Sequence, residues 1–172
     1  FHLPIVVAVN RFPGDTSAEL DAVFDFCDAM DTPAALSEVT ALGGDGGLEL
    51  AEKVLSLIDN SDKADTPLHT LYDVNSPIKE KIETIAREIY RADGVDYHPL
   101  AVENINRLER QGLNNLPVCM AKTQLSISDD PKKLGAPTNW RLTVREVKIS
   151  NGAGYLVAIT GKMLLMPGMP KK

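Results

Sequence analysis

The stretch PIVVAVNRFPGDT, from Pro4 to Thr16, joins an apolar run to a polar turn that contains a proline. The run of isoleucine, valine and alanine predicts a strand over residues 5–10, covered on both faces as in a parallel sheet. Phe12 and Pro13 follow directly beyond the carboxyl end of that strand. A buried strand does not require an exposed aromatic side chain at its tip, so this turn is the first candidate for a functional site.

Helices and strands alternate in the residues that follow this strand. Thr16 or Ser17 is predicted to cap a helix, a second strand is predicted over residues 34–39, and a glycine-rich turn, GGDGG, opens a second helix. The apolar positions repeat at helical spacing in both helices: Leu20, Val23, Phe24 and Cys27 in the first, and Leu48, Ala51, Val54, Leu55 and Ile58 in the second. This alternation predicts an α/β fold with a mostly parallel open sheet flanked by helices.

The second half of the chain continues the pattern and then changes period. The predicted elements begin with a short edge strand at residues 71–74 and a helix after Ser76 and Pro77 with the stripe Ile78, Ile82, Ile85 and Ile89. A turn over residues 93–99, a helix over residues 100–111 ended by Gly112, and a strand over residues 116–121 follow. A long polar loop leads to LTVREVKIS and YLVAITGKMLLM, which flank the turn NGAG and predict a C-terminal β-hairpin. We interpret residues 1–172 as a single α/β domain.

The composition excludes several classes of protein. A net charge of −6 argues against a partner such as nucleic acid or an anionic membrane, which would need a basic face. The sequence has no apolar run of the roughly 20 residues that a membrane span requires. Cys27 and Cys119 lie among apolar neighbours, which predicts two buried free thiols in a reducing cytoplasm.

Three polar segments follow predicted strands and are expected to line one crevice at their carboxyl ends: residues 10–16, 38–47 and 122–130. The GGDGG run could bind phosphate through its backbone N–H groups, but Asp45 and the missing Lys-Ser/Thr pair favour a turn that caps a helix. Lys122 is predicted either to meet an anionic substrate group or to pair with Asp129 or Asp130. The three histidines have no metal-ligand spacing, so no metal site is predicted.

Several long segments together identify a family resemblance: VVAVNRFPGDTSAEL, ALSEV with GGDGGLELA, KIETIAREIYRADGVDY, LPVCMAKTQLSISDDPKKLGAP, and LTVREVKIS with GKMLLMPGMPK. In this order, and over essentially all 172 residues, they resemble formate–tetrahydrofolate ligase. That family joins formate to tetrahydrofolate with Mg-ATP, through formyl phosphate, to give 10-formyltetrahydrofolate. The resemblance implies the carboxyl-terminal domain of a longer ligase, with the nucleotide-binding half and its phosphate loop preceding Phe1.

The resemblance also implies which residues bind folate. Phe12 and Pro13 would pack against the pterin ring, and Leu36 and Thr40 match further positions of the pterin site. The supporting positions are Asn10, Asp15, Glu38 and Lys122. Thr40 stands where the family pattern SEVWAKGG has a tryptophan that covers the opposite pterin face, and Gly14 stands where the family commonly has threonine. No catalytic residue and no metal ligand is assigned to this chain.

The expected role is therefore the folate side of a ligase whose partners are its small-molecule substrates and its N-terminal nucleotide-binding domain. The chain alone is expected to be inactive, because the acyl phosphate must form where ATP binds, and the parent is expected to be a homo-oligomer. The alternative is a non-catalytic folding or assembly module of a protein of one-carbon metabolism, which the Thr40 substitution would fit.

Overall fold

The computed structural model describes residues 3–60 and 69–161. The chain forms two compact units, Phe1–His69 and Thr70–Lys172. The first holds a two-stranded sheet, and the second a four-stranded sheet in which two of the three strand pairings are parallel. This architecture confirms the predicted α/β class. Over the described ranges, no helix combines the length and apolar character needed to cross a membrane.

The first unit is built on two parallel strands. Strand β1 (Val7–Asn10) pairs with β2 (Ala34–Ser37), and helix α1 (Ser17–Ala29) connects them. Thr16 caps α1 as predicted, because its hydroxyl accepts from the Glu19 backbone N–H at 3.3 Å. The Glu19 carboxylate in turn accepts from the Thr16 backbone N–H at 2.9 Å, which completes a capping box.

The chain leaves β2 through a tight succession of turns. A one-turn helix, α2 (Val39–Leu42), is followed by a 3-10 helix over Gly43–Gly47 and then by α3 (Leu48–Asn60). We predicted that the second strand continues to residue 39, but it ends at Ser37. Directly after the strand, the backbone N–H of Glu38 donates to the carbonyl of Gly46 at 2.9 Å.

The predicted apolar stripe of α3 is partly wrong. Leu48, Leu55 and Ile58 are exposed, whereas Val54 is half-buried as expected. Leu50 and Leu57 are half-buried too, although the predicted stripe did not include them. Leucine, valine and isoleucine occupy more than one face of this helix, so spacing alone did not select the face that packs on the unit.

The second unit contains two long helices and a mixed sheet. Its elements are α4 (Ile78–Glu88), β3 (Val95–Tyr97), α5 (Pro99–Arg110), β4 (Val118–Ala121), β5 (Leu142–Ser150) and β6 (Tyr155–Thr160). The strand order is β3-β5-β6-β4, with β3 parallel to β5 and β4 parallel to β6. Strands β5 and β6 are antiparallel and flank residues 151–154, which confirms the predicted hairpin. Residues 162–166, predicted to extend its second strand, lie outside the described residues.

The core of the second unit lies between its sheet and its helices. Helix α4 contributes Ile78, Ile82 and Ile85 as predicted, whereas Ile89, the residue just after α4, is 48% exposed. The other apolar residues of this core come from α4, α5, the sheet and the connections: Ala86, Ala92, Ala101, Ile105, Leu108, Trp140, Leu142, Val144, Val147, Leu156 and Ala158. Gly112 ends the α5 region in the left-handed conformation, φ 72°, as expected for a residue just past a helix.

Three further predictions for the second unit are wrong. Residues 71–74 form bends and a turn rather than an edge strand, and the Tyr72 hydroxyl accepts from the Val118 backbone N–H at 3.0 Å. Residues 95–97 form β3, although we assigned them to a turn. Cys119 is exposed on β4, whereas Cys27 is buried as predicted.

A fully buried lysine ties this unit together. Lys81 is 0% exposed, and its ammonium donates to the carbonyls of Val74 at 2.9 Å, Leu116 at 2.6 Å and Asn114. Burial lowers the pKa of Lys81, and the nearby carboxylates of Glu109 and Asp73 act in the opposite direction. All three N–H donors are therefore satisfied by backbone, and the side chain fixes the segments before α4 and before β4.

Candidate functional site

A cavity of about 330 Å³ opens beyond the ends of β1 and β2 in the first unit. Its lining residues are Arg11, Phe12, Pro13, Asp15, Glu38 and Ala41. The carboxyl ends of parallel strands lie at the same sheet edge, so the segments 10–16 and 38–47 meet there as predicted. The third predicted segment, residues 122–130, belongs to the second unit.

The turn after β1 presents Phe12 to solvent. The Asp15 carboxylate accepts from the Phe12 backbone N–H at 2.8 Å, and the Asp15 backbone N–H donates to the Phe12 carbonyl at 3.0 Å. Pro13, between these two residues, has a ring-fixed φ, which further restricts the turn. The Phe12 side chain is 64% exposed. It is therefore not a core residue, and its ring forms an apolar surface of the cavity.

Arg11 links the two strand ends. Its backbone N–H donates to the Ser37 carbonyl at 3.1 Å, and its guanidinium Nη1 lies 3.2 Å from the Glu38 carboxylate oxygen Oε1. Both side chains are partly exposed, at 47% and 31%, so the pair contributes little to stability. Its effect is to hold a carboxylate and a guanidinium at fixed places on the cavity wall.

The GGDGG turn holds the backbone at Glu38 in place. The Glu38 backbone N–H donates to the Gly46 carbonyl, so the two backbones lie close together. A side chain at position 46 would not fit, because a Cβ there would lie 2.5 Å from the Glu38 carbonyl carbon and 2.6 Å from its oxygen. Only glycine permits this approach. The structure thus gives this glycine a packing role next to the cavity, and the run leads directly into α3 as the capping interpretation predicted.

Three other predicted site residues lie outside the cavity lining. Thr40 is exposed on α2, Leu36 is half-buried within β2, and Asn10 is the exposed last residue of β1. Ala41 lines the cavity although we did not predict it, because the one-turn helix α2 turns the residue after Thr40 towards it. Arg11 was not predicted either; its position inside the NRFP turn was the available signal.

Lys122 lies in the second unit, directly after β4, and its donors are used by its own loop. Its ammonium donates to the carbonyls of Thr123 at 2.8 Å, Ser128 at 3.2 Å and Ser126, and it lies 5.3 Å from the centroid of the Tyr90 ring. The predicted ion pair with Asp129 or Asp130 is not formed. Burial lowers the pKa of Lys122, against the opposing effect of the nearby Asp129.

The cavity offers charged groups and an apolar wall for the recognition of a ligand. Its polar side chains are one guanidinium and two carboxylates. Across the described ranges, no three histidine, cysteine or acidic residues are grouped so as to hold a metal ion. The apolar wall of Phe12 and Pro13 beside the carboxylates suits a flat heterocycle whose edge carries N–H donors.

A comparison with protein families agrees with the sequence segments. The family model described as formate–tetrahydrofolate ligase matches residues 1–172. The match extends over both compact units, so it does not depend on the cavity or on one short motif. This confirms the resemblance, and the chain belongs to the formate–tetrahydrofolate ligase family.

Proposed function

We propose that this chain supplies the pterin-binding side of an ATP-dependent ligase that joins formate to tetrahydrofolate through formyl phosphate, giving 10-formyltetrahydrofolate. The observation that carries the proposal is the exposed Phe12 ring on a restricted turn at the cavity. The substrates of the full-length parent are then tetrahydrofolate, formate and Mg-ATP. Because the exposed thiol of Cys119 is free, a reducing compartment such as the cytoplasm suits the parent.

The size and the lining of the cavity support a pterin. A volume of about 330 Å³ lies at the small end of the roughly 300–1,000 Å³ typical of ligand sites, so it suits the bicyclic head of the folate better than the whole molecule. Stacking of the pterin on Phe12 contributes about 0.5–1.5 kcal/mol beyond the area that it buries. The hydrogen-bonded turn keeps the ring presented, so little ordering entropy is lost on binding.

Calorimetric titration of the purified chain with tetrahydrofolate tests this proposal. Phe12→Ala should weaken binding by at least about 2- to 12-fold, which corresponds to the lost stacking alone, and the lost buried area adds to this effect. Phe26→Ala is the matched control, because Phe26 is 67% exposed on α1 and does not line the cavity. Equal effects of the two substitutions would refute the assignment. In the full-length ligase, Phe12→Ala should raise the KM for tetrahydrofolate and leave that for ATP unchanged.

We further propose that ATP binds elsewhere in the parent, in an N-terminal nucleotide-binding domain that is the partner of this chain in a homo-oligomeric enzyme. The support is that the 172-residue sequence has no GxxxxGK[ST] loop. The isolated chain should then release no ADP from Mg-ATP, with or without formate, in a coupled assay. Steady ADP release by the purified chain would contradict this division of roles.

One observation favours a second candidate, a non-catalytic folding or assembly module. Thr40, which stands at the family's tryptophan position, is exposed and lies outside the cavity lining, and Leu42 is 59% exposed rather than filling the space. The pterin would then be covered on one face only. Absence of any tetrahydrofolate binding to the wild-type chain at millimolar concentration would favour this candidate.

A further inference from the structure

The two carboxylates on the cavity wall have different local roles. Asp15 belongs to the turn itself, because its Oδ2 accepts from the Phe12 backbone N–H at 2.8 Å. The side chain of Glu38 is not used in this way: Glu38 occupies the N-cap position of α2, but its carboxylate makes no capping hydrogen bond. Within the described residues, its carboxylate contact is the one from Arg11 to Oε1. Glu38 is therefore the carboxylate available to a ligand.

Glu38 is also held in place on the cavity wall. Its backbone is held against Gly46, and its side chain contacts the guanidinium of Arg11, whose backbone N–H donates to the Ser37 carbonyl. Arg11 engages Oε1 at 3.2 Å, and no described residue bonds Oε2. An ionised carboxylate oxygen has two acceptor sites, so both oxygens can still accept from a ligand.

We propose that Glu38 binds the pyrimidine edge of the pterin, accepting one N–H from the 2-amino group and one from N3, and that Arg11 is a positioning residue for it. This inference rests on the proposed folate function. The two N–H groups are parallel and about as far apart as those of a guanidinium, which is the geometry that a carboxylate accepts in a bidentate manner. Phe12 then supports the face of the ring, while Glu38 determines which heterocycle is accepted.

The experiment compares two ligands, tetrahydrofolate and its analogue without the 2-amino group, by calorimetry on the wild-type chain. Loss of a hydrogen bond to a charged acceptor should weaken binding of the analogue by about tenfold or more. Glu38→Gln should reduce tetrahydrofolate affinity by a similar factor and should weaken binding of the analogue less, because the analogue keeps only the N3–H as a donor to Glu38. Glu52→Gln, an exposed position on α3, is the matched control and should change neither affinity.

The outcomes separate this inference from the proposed function. Equal affinity of the wild-type chain for both ligands would overturn the role of Glu38 and leave the folate function standing. The absence of binding to either ligand would overturn both. Arg11→Lys, which keeps a cation beside Glu38, should retain more of the discrimination between the ligands than Arg11→Ala. Loss of affinity for both ligands alike in Arg11→Ala would assign Arg11 to the structure of the site instead.

Discussion

Replacing Gly46 by alanine should loosen the cavity side of the first unit. The added Cβ would lie 2.5 Å from the carbonyl carbon and 2.6 Å from the carbonyl oxygen of Glu38, and 2.9 Å from the backbone nitrogen of Val39. These are backbone atoms, so no change of rotamer relieves the contact. Overpacking of this kind costs about 1–3 kcal/mol. Gly44→Ala is the matched control, since a Cβ there meets nothing within 4 Å.

Hydrogen exchange followed by mass spectrometry measures this effect where it is expected. Tyrosine and tryptophan are absent from residues 1–69, so intrinsic fluorescence does not report on the first unit. A cost of 1–3 kcal/mol corresponds to exchange about 5- to 150-fold faster in peptides that cover β2 and the GGDGG turn. Gly44→Ala should leave exchange unchanged or slow it slightly. If both variants exchange at the same rate, the contact between Gly46 and Glu38 is not formed in solution.

Three other substitutions test separate features of the two units. Thr40→Trp should tighten tetrahydrofolate binding several-fold, because the exposed position leaves room for an indole that adds about 1 kcal/mol of stacking. A titration that shows unchanged or weaker binding would contradict this. Lys81→Met leaves three carbonyls without donors and should lower the free energy of unfolding of the second unit by about 3 kcal/mol or more. Unfolding in urea, measured by the fluorescence of Trp140, tests this, and the control Lys132→Met at an exposed position should change the same free energy by less than about 0.5 kcal/mol. Burial raises the pKa of Tyr97, so above about pH 10 the phenol ionises in the unfolded chain while it stays protonated in the folded one. Stability should therefore fall as the pH rises through this range. Tyr97→Phe should remove this part of the loss, which urea unfolding midpoints measured between about pH 8 and 11 would show.

The order of elements could be predicted from the sequence because the strong signals are local. The valine-rich run of β1, the capping residue Thr16 and the turn NGAG each act through neighbouring residues, and the three elements form as predicted. The predicted covering of β1 on both faces is wrong, because its residues alternate between half-buried and exposed. The errors come from contacts distant in sequence. The predicted strand at residues 71–74 does not form, and the Tyr72 hydroxyl there meets the backbone of Val118 instead.

The candidate site was predictable only in part for the same reason. An exposed-looking aromatic at Phe12 was visible in the sequence, and the structure places it at the cavity. The lining by Ala41 instead of Thr40 depends on α2, a single helical turn too short to produce a periodic pattern. The pairing of Arg11 with Glu38 spans 27 positions and depends on the register of β1 with β2.

The carbonyl contacts of Lys122 have a consequence for protein engineering. Residues 122–141 contain little regular secondary structure, and at the start of this loop three carbonyls converge on one ammonium group, as oxygen ligands do around a metal ion. Because this ammonium group is part of a side chain, the loop carries its own cation and does not need to bind one from solution. Anyone who grafts the loop onto another scaffold must transfer Lys122 with it, and arginine would be a poor replacement because its planar guanidinium cannot point three donors at one centre.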